Sequence, residues 1–369
     1  MLRFAEILRE HWPSYVARAT GPIPARHWRA VEAVLSCRTL RRGGHVQHCA
    51  HCQRDHYFYH SCNHRNCPRC GSRPQAEWAA RQEARLLPVP YYLITVTVPD
   101  PLRRLLASYP RELYPLFFAE SAAGLKELCA NRRHLGGELG FIAVLHTWTR
   151  RMLHHPHLHF LVPALGVNNG GTALVHPRHE EYLIPERALA QRIRARFEAR
   201  LRSEHPQLAD QIDLARASQD WVVQCKAVGR GKSALRYVAA YVKKSAFSEA
   251  RLEGYDPKSR RVLLRSKDSS DNQWKIETLD PLELIRRWLL HVLPKGLVRV
   301  RHYGWLSPAA GQVLRRIRFL LGLRWPMRVR GLANLVLTCP CCKGPLSLAR
   351  RVPPVRGPPL SRFVWLHAA

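Results

Sequence analysis

Alternating histidines mark the segment HHPHLHFLVPALG, where His155, His157 and His159 precede an apolar run. In a β-strand, residues two apart point to the same face about 6.6–7 Å apart, so the imidazoles of His157 and His159 can converge on one divalent cation. The motif alone is weak, because a chain with 20 histidines contains about one such pair by chance. A metal site, a solvated strand edge and an accident of composition are all open at this point.

Two tyrosines follow in the segment RYVAAYVKK. Tyr237 and Tyr241 are four residues apart, which puts them on one face of a helix with Cβ atoms about 6 Å apart. An aromatic pair at this spacing usually packs in a core. Here Lys243 and Lys244 follow directly, so we interpret the face as an anion-facing surface and both lysines as DNA contacts.

Together these residues suit phosphodiester transesterification. A tyrosine hydroxyl would attack the backbone phosphorus and keep the 5′ side as a phosphotyrosine, with Mg²⁺ or Mn²⁺ polarising the phosphoryl oxygens. Because the bond energy is retained in the phosphotyrosine, rejoining needs no ATP. The nearby GKS is not a phosphate-binding loop, since Lys226 stands where the first glycine is needed, so we expect no nucleotide cofactor.

Six of the 11 cysteines fall between Cys37 and Cys70. The pairs Cys49/Cys52 and Cys67/Cys70 are C-x-x-C knuckles with fourteen residues between them, and two such knuckles can complete one tetrahedral structural Zn²⁺ site. In a chain without a secretory signal, cysteines favour metal over disulfides. The remaining metal-ligand types in this region could make a second site, but their spacing does not say which of them bind: Cys37, His45, Cys62 and His64.

A further group of cysteines stands near the C-terminus in the sequence CPCC, which holds Cys339, Cys341 and Cys342. It is half a site, and the sequence shows no partner for it. The sequence does not decide whether these cysteines bind a metal.

The formal net charge is +32, and residues 284–369 contain sixteen Lys or Arg and no Asp or Glu. This excess predicts a polyanionic partner, with affinity supplied by counterion release. We expect Arg286 and Arg287 to bind DNA. No apolar run approaches the roughly 18 residues that span a bilayer, and the N-terminus alternates acids and bases, unlike a signal peptide. The composition therefore predicts a cytoplasmic nucleic-acid-binding protein with no membrane partner.

Hydrophobic periodicity predicts mixed strands and helices without βαβ regularity, hence an α+β fold. The predicted elements are strands at 91–99, 141–148, 158–167 and 220–228, helices at 74–87, 101–131, 185–204 and 233–247, hairpins near 168–171 and over 260–279, and helices beginning at Pro281 and Pro308. We divide the chain into a zinc-binding, DNA-binding module (1–88), a catalytic domain (89–305) and a basic C-terminal region (306–369) whose Pro-rich tail RVPPVRGPPLSRF is disordered.

The ordered motifs resemble those of the two-tyrosine rolling-circle transposases of the HUH endonuclease superfamily, in the bacterial insertion-sequence family numbered ninety-one. The resemblance covers most of the chain, through CRTLRRGGHVQHCAHC, HSCNHRNCPRC, VPYYLITVTVP, LHTWTRRMLHHPHLHFLVPALG, YVAAYVKK and LIRRWLLHVLPKGLVRVRHYGWL. It implies a zinc-ribbon-like N-terminal module, an HUH (ferredoxin- or RRM-like) antiparallel sheet with helices, and a basic helical C-terminal region.

By this resemblance, His157 and His159 are the metal-binding pair and Tyr237 and Tyr241 are the nucleophiles, one for each strand exchange. Such enzymes usually recruit a third metal ligand, for which His146, His155 and Gln224 are candidates. His146 ranks slightly ahead because it lies on the neighbouring predicted strand, and His155 would then help to orient the pair.

The resemblance also implies single-stranded element ends as the substrate and a bacterial, nucleoid-associated location, while the oligomeric state stays undetermined. Two alternatives share parts of this pattern. A replication initiator or relaxase would use the same core chemistry, and a non-catalytic zinc-finger DNA-binding protein would share only the zinc module and the basic surface.

Overall fold

The computed structural model describes residues 3–70, 72–212, 221–242, 245–256, 258–268, 271–324 and 337–360, without the side chains of residues 72, 73, 240 and 241. The helices are α1 (Phe4–Ala17), α2 (Ala25–Leu35), α3 (Ser72–Glu83), α4 (Asp100–Ser108), α5 (Pro110–Ala130), α6 (Glu186–Glu204), α7 (Pro206–Ala209), α8 (Lys232–Val242), α9 (Pro281–Leu289) and α10 (Gly311–Leu320). The strands are β1 (Gly44–Cys49), β2 (Arg54–Tyr59), β3 (Tyr91–Thr97), β4 (Glu138–Trp148), β5 (His154–Pro163), β6 (Gly166–Val167), β7 (Leu174–Val175), β8 (Val222–Ala227), β9 (Leu252–Asp256), β10 (Arg261–Lys267), β11 (Trp274–Leu279), β12 (Val300–Gly304) and β13 (Ser347–Val352).

The largest sheet has the strand order β7-β6-β4-β5-β3-β8, and β12 also pairs with β4. Its described pairings are antiparallel, which confirms the predicted α+β class with an antiparallel sheet. Strand β5 lies in the middle, between β3 and β4. Its near-continuous apolar run is buried because helices cover both faces of the sheet.

The two faces of this sheet belong to different clusters of buried side chains. Leu158, Phe160 and Val162 of β5 pack on the face that α4, α5 and α6 cover. Leu161 packs on the opposite face, with Leu235 and Val238 of α8. Since side chains alternate along a strand, His157 and His159 share the face of Leu161 and lie beneath α8.

A third core joins the N-terminal helices to a distant part of the chain. Phe4 of α1 contacts the rings of Phe247 and Trp288 edge-on, each with a centroid separation of 5.0 Å. Trp12 of α1 and Val262 of β10 lie in the same cluster. The predicted boundary at residue 88 therefore crosses a shared core.

The C-terminal part of the chain returns to the N-terminal module. Strand β13 pairs antiparallel with β1, which also pairs with β2, so the three form a small separate sheet. The prediction of a disordered tail is wrong at its start, because Arg351 and Val352 belong to β13. Residues 361–363 of that motif lie outside the described ranges.

Two other element predictions needed correction. The helix expected over 101–131 is two helices that meet at Tyr109 and Pro110, since proline suits the first turn of a new helix and not the interior of an old one. The strand expected from residue 158 begins at His154, so the alternating histidines lie inside it. No helix among the described residues combines the length and apolarity needed to cross a membrane.

Candidate functional site

Three buried histidines meet on the α8 face of the central sheet. His146 of β4 lies directly opposite His157 of β5, and His159 is two residues further along β5. His157 Nε2 is 2.9 Å from His146 Nδ1 and 3.1 Å from His159 Nε2. One ring nitrogen of each residue lies within 4.8 Å of the other two, a spacing that suits three ligands of one metal ion.

Hydrogen bonds at the outer ring nitrogens orient two of these rings. His157 Nδ1 is 2.8 Å from the carbonyl oxygen of His155, and because a carbonyl only accepts, this bond assigns the proton to Nδ1 and leaves a lone pair on Nε2. His159 Nδ1 is 3.0 Å from Thr95 Oγ1. Such outer contacts set the ring orientation of metal-binding histidines.

The electrostatic surroundings keep the trio neutral. Burial lowers the pKa of His157 to about 4 and that of His159 to about 3, and it holds the pKa of His146 well below the usual 6.5. Neutral imidazoles are the form that binds metal. The lone pair on His157 Nε2 points toward His146 Nδ1 and His159 Nε2. A cation between these three nitrogens would bind all of them, so this set of ligand atoms fits a divalent metal.

The other third-ligand candidates lie further away. His155 contributes its carbonyl to His157, while its ring centroid is 5.3 Å from that of His157 and its nitrogens are not part of the trio. Gln224 of β8 is exposed and opposite Thr95, so a whole strand separates it from His159. Among the three candidates, the strand register brings His146 to the pair.

Helix α8 places Tyr237 next to the trio. Its ring centroid is 5.5 Å from that of His159, with the two planes at 78°, and 46% of the residue is exposed. Val238 on the neighbouring helix face is fully buried and anchors α8 to the sheet. Tyr237 is therefore a partly exposed tyrosine whose ring contacts the histidine trio.

The remaining residues of that motif are only partly described. Tyr241 lies on α8 one turn after Tyr237, and its side chain is outside what the structure describes. Lys243 and Lys244 also lie outside the described residues. Their predicted contacts with DNA stay predictions.

The two predicted DNA contacts of α9 differ in their surroundings. Arg287 has 11% of its side chain exposed, and its guanidinium donates to Glu277, Glu283 and the carbonyl of Arg151. These contacts hold the Arg287 guanidinium inside the protein, and its predicted contact with DNA stays a prediction. Arg286 is 49% exposed and pairs with Glu283 on the helix surface, so it can still reach a phosphate.

Eight of the 11 cysteines form two clusters in place of the single predicted set. In the first, the sulfurs of Cys37, Cys62, Cys67 and Cys70 lie within 4.8 Å of one another, with Cys37 Sγ 3.4 Å from Cys70 Sγ. In the second, Cys49 and Cys52 meet Cys339 and Cys342. The predicted pairing of Cys49/Cys52 with Cys67/Cys70 in one site is wrong.

The β1–β2 hairpin explains the separation. Cys37 and Cys62 flank its base, where Gly44 pairs with Tyr59, whereas Cys49 and Cys52 form the turn at its tip. A six-residue strand spans roughly 17–20 Å, too far for one ion. The CPCC cysteines were recognised from the sequence as half a site, but their partner was not; the structure places Cys49 and Cys52 there.

A buried polar layer lies beside the trio on β4. His291 Nε2 donates to the carbonyl of Met152 at 3.0 Å, and its Nδ1 is 3.2 Å from Thr147 Oγ1. Burial lowers the pKa of His291 to about 3. His291 was not singled out from the sequence, although its spacing after Leu284 and Trp288 places it on the apolar face of the predicted helix and could have indicated burial.

Comparison with known proteins points to one function. Residues 140–312 match the family described as "Putative transposase", and residues 7–98 match the family described as "Transposase zinc-binding domain". The chain is 34% identical over 340 residues to "Putative transposase y4qJ" of Sinorhizobium fredii, covering 87% of this chain and 85% of that protein.

It is also 28% identical over 315 residues to "Transposase for insertion sequence element IS801" of Pseudomonas savastanoi pv. phaseolicola, covering 80% of this chain and 74% of that protein. No solved structure matches. The match over residues 140–312 spans the histidine trio and Tyr237, and the match over 7–98 contains all four cysteines of the first cluster.

Proposed function

This chain belongs to the IS91 family of insertion-sequence transposases with an N-terminal zinc-binding domain, and from that premise we propose that it nicks and rejoins single-stranded DNA by tyrosine transesterification. The observation that carries the proposal is the position of Tyr237, whose ring lies 5.5 Å from that of His159 in the histidine trio. A nucleophile beside a metal-ligand cluster is the arrangement that this chemistry needs.

In the proposed first step, the hydroxyl of Tyr237 gives up its proton to solvent and its oxygen attacks a backbone phosphorus. The bond from phosphorus to the 3′ oxygen breaks, a 5′-phosphotyrosine forms, and the leaving oxygen takes a proton to become a 3′-hydroxyl. Rejoining is the reverse attack by a 3′-hydroxyl, so each step exchanges one phosphodiester for another and needs no external energy.

His146, His157 and His159 would hold the divalent metal. When bound, such an ion polarises the phosphoryl oxygens and stabilises the charge that develops there. Three imidazole nitrogens favour a transition metal such as Mn²⁺ over Mg²⁺, which prefers an oxygen shell and keeps several waters. The carbonyl of His155 and the hydroxyl of Thr95 keep the ligand nitrogens of His157 and His159 pointing inward.

Tyr241 supplies the second nucleophile in this proposal. It lies four residues after Tyr237 on α8, and the two tyrosines would hold two DNA ends in succession. The formal charge of +32 supports a DNA substrate, with Arg286 among the surface contacts. The cysteine clusters support structural Zn²⁺.

The test is a covalent-adduct assay on the full chain. Purified protein is incubated with Mn²⁺ or Mg²⁺ and labelled single-stranded oligonucleotides from the ends of its insertion sequence. We expect an adduct that survives denaturation, that is absent with EDTA, and that is absent in the Tyr237→Phe/Tyr241→Phe double variant.

Two controls separate the alternatives. Double-stranded oligonucleotides of the same sequence should give no adduct, and an adduct on duplex alone would contradict the single-strand proposal. Shifted oligonucleotide mobility without any adduct, for every end sequence tested, would instead identify a non-catalytic DNA-binding protein.

A further inference from the structure

The second cysteine cluster joins two parts of the chain that are far apart in sequence. Cys49 Sγ is 3.5 Å from Cys342 Sγ, 293 positions away in the sequence, and Cys52 Sγ is 3.6 Å from Cys339 Sγ, 287 positions away. We propose that Cys49, Cys52, Cys339 and Cys342 bind a second structural Zn²⁺ that clamps residues 337–352 onto the N-terminal β1–β2 hairpin. This inference goes beyond the proposed function, and half of the ligand set lies outside the matched zinc-binding region, residues 7–98.

The two cysteine pairs have the same local backbone structure. After Cys52, the amide of Gln53 donates to the carbonyl of Cys49 at 2.8 Å, and Gln53 has a φ of 57°. After Cys342, the amide of Lys343 donates to the carbonyl of Cys339 at 2.9 Å, and Lys343 has a φ of 61°. Positive φ is uncommon for residues other than glycine. Two matched turns that each present two thiols to one point are what a tetrahedral four-cysteine zinc site requires.

The strand that follows the second turn has little else to hold it. Strand β13 pairs with β1 from Gly44 opposite Val352 to His48 opposite Ser347, yet nearly all of its residues are exposed. Leu348, its large apolar side chain, is 58% exposed. Val46 of β1 is buried, but β13 adds almost no buried apolar surface to this small sheet, and an edge strand of that kind is marginal in water. Metal binding commonly supplies the missing folding free energy. The ion would therefore stabilise the folded state of this segment, as the burial of apolar side chains stabilises other parts of the protein.

A second set of ligands competes for the same place. His56 Nε2 is 3.2 Å from Cys339 Sγ, and these two form a group with Cys341. That group has three members against four, and Cys341 is exposed with the cationic Arg54 Nη1 3.5 Å from its sulfur. We therefore assign the ion to the four thiolates, and His56 to a hydrogen bond with the Cys339 sulfur.

The proposed site can be tested by measuring how many zinc ions the full chain binds. The wild-type protein, purified with zinc and then desalted, should contain about two zinc ions per chain at the cysteine clusters, one for each cluster; zinc held by the histidine trio is subtracted by comparison with a His157→Ala/His159→Ala variant. The Cys339→Ser/Cys342→Ser variant should contain about one. Cys341→Ser is the matched control, since it changes a cysteine of the same CPCC sequence that the proposal leaves out, and it should keep both ions.

A labelling experiment on the wild-type chain guards against a variant that does not fold. Cysteine alkylation of the zinc-loaded protein, read by mass spectrometry, should modify Cys341 and leave Cys339 and Cys342 protected. A chelator should expose both and should accelerate protease cleavage within residues 337–360.

Three outcomes would overturn the proposal. They are a wild-type content of one zinc ion, a Cys339→Ser/Cys342→Ser variant that keeps two, and rapid alkylation of Cys339 and Cys342 in the zinc-loaded protein. Loss of an ion in Cys341→Ser would instead assign the site to His56, Cys339 and Cys341. None of these results bears on the tyrosine chemistry, which the adduct assay measures separately.

Discussion

The ring of Tyr237 stands edge-on to the ring of His159, with centroids 5.5 Å apart and planes at 78°. The two residues come from different elements, α8 and β5, and their contact joins the proposed nucleophile to the three histidines proposed to bind a metal. Their separation along the chain is large, so the contact depends on α8 packing against the sheet through Val238 and Leu235.

The two tyrosines should differ in their effect on the first cleavage. Tyr237→Phe should reduce adduct formation with a single oligonucleotide by about a thousandfold or more, as loss of a nucleophile does. Tyr241→Phe should leave this reaction within about threefold and reduce only transfers that require two linkages. Because Tyr237 is 46% exposed, the free energy of unfolding of the Tyr237→Phe variant should lie within about 0.5 kcal/mol of the wild-type value. The reverse pattern would show that Tyr241 acts first.

Thr95 should tune metal affinity through His159. Its hydroxyl is 3.0 Å from His159 Nδ1, so Thr95→Val removes the contact that orients the ring. We expect Mn²⁺ affinity, measured by calorimetry, to fall by about 10- to 100-fold. Thr97→Val is the matched control: Thr97 faces His157, whose Nδ1 is held by the carbonyl of His155. Equal losses in both variants would argue against a specific role of the Thr95 hydroxyl.

The adjacent arginines of α9 should behave differently. Arg287→Ala leaves Glu277 and Glu283 short of a cation in a mostly buried site and should lower the free energy of unfolding by about 2 kcal/mol. Arg286→Ala should change stability by less than about 0.5 kcal/mol, because the side chain is 49% exposed. It should instead weaken DNA binding and reduce the slope of log affinity against log salt by about one. Urea unfolding and salt-dependent DNA titration of both variants provide the measurements.

Burial of His291 should make the fold sensitive to acid. Its pKa is about 3 in the folded chain against 6.5 when exposed, so below pH 6.5 the unfolded state takes up a proton that the folded state refuses until about pH 3. Stability is therefore lost as pH falls through this window, at about 1.4 kcal/mol per pH unit for this one group. Between pH 6.5 and 5, the slope of unfolding free energy against pH should be smaller in His291→Gln than in wild type, by up to about 1.4 kcal/mol per pH unit. Both proteins carry the same cysteines, so acid release of zinc cancels in the difference, and identical slopes would contradict the assignment.

Much of this protein follows from local sequence pattern. The helix predicted at 185–204 is Glu186–Glu204 and the strand predicted at 91–99 is Tyr91–Thr97, because hydrophobic periodicity is a local property that burial then satisfies. The shared face of His157 and His159 follows from the two-residue period of a strand. The family resemblance, which rests on ordered motifs, was confirmed by the matches to transposases.

Other features depend on pairings between distant segments, which no local pattern encodes. His146 is brought to the pair by the register of β4 against β5, and a shift of one residue would have turned it to the opposite face. The cysteines divide into two clusters because the length of the β1–β2 hairpin separates its base from its tip, and because β13 returns beside β1. Arg287 shows the same limit for charge: composition predicts how many cations the chain has, and only packing determines which of them face the solvent.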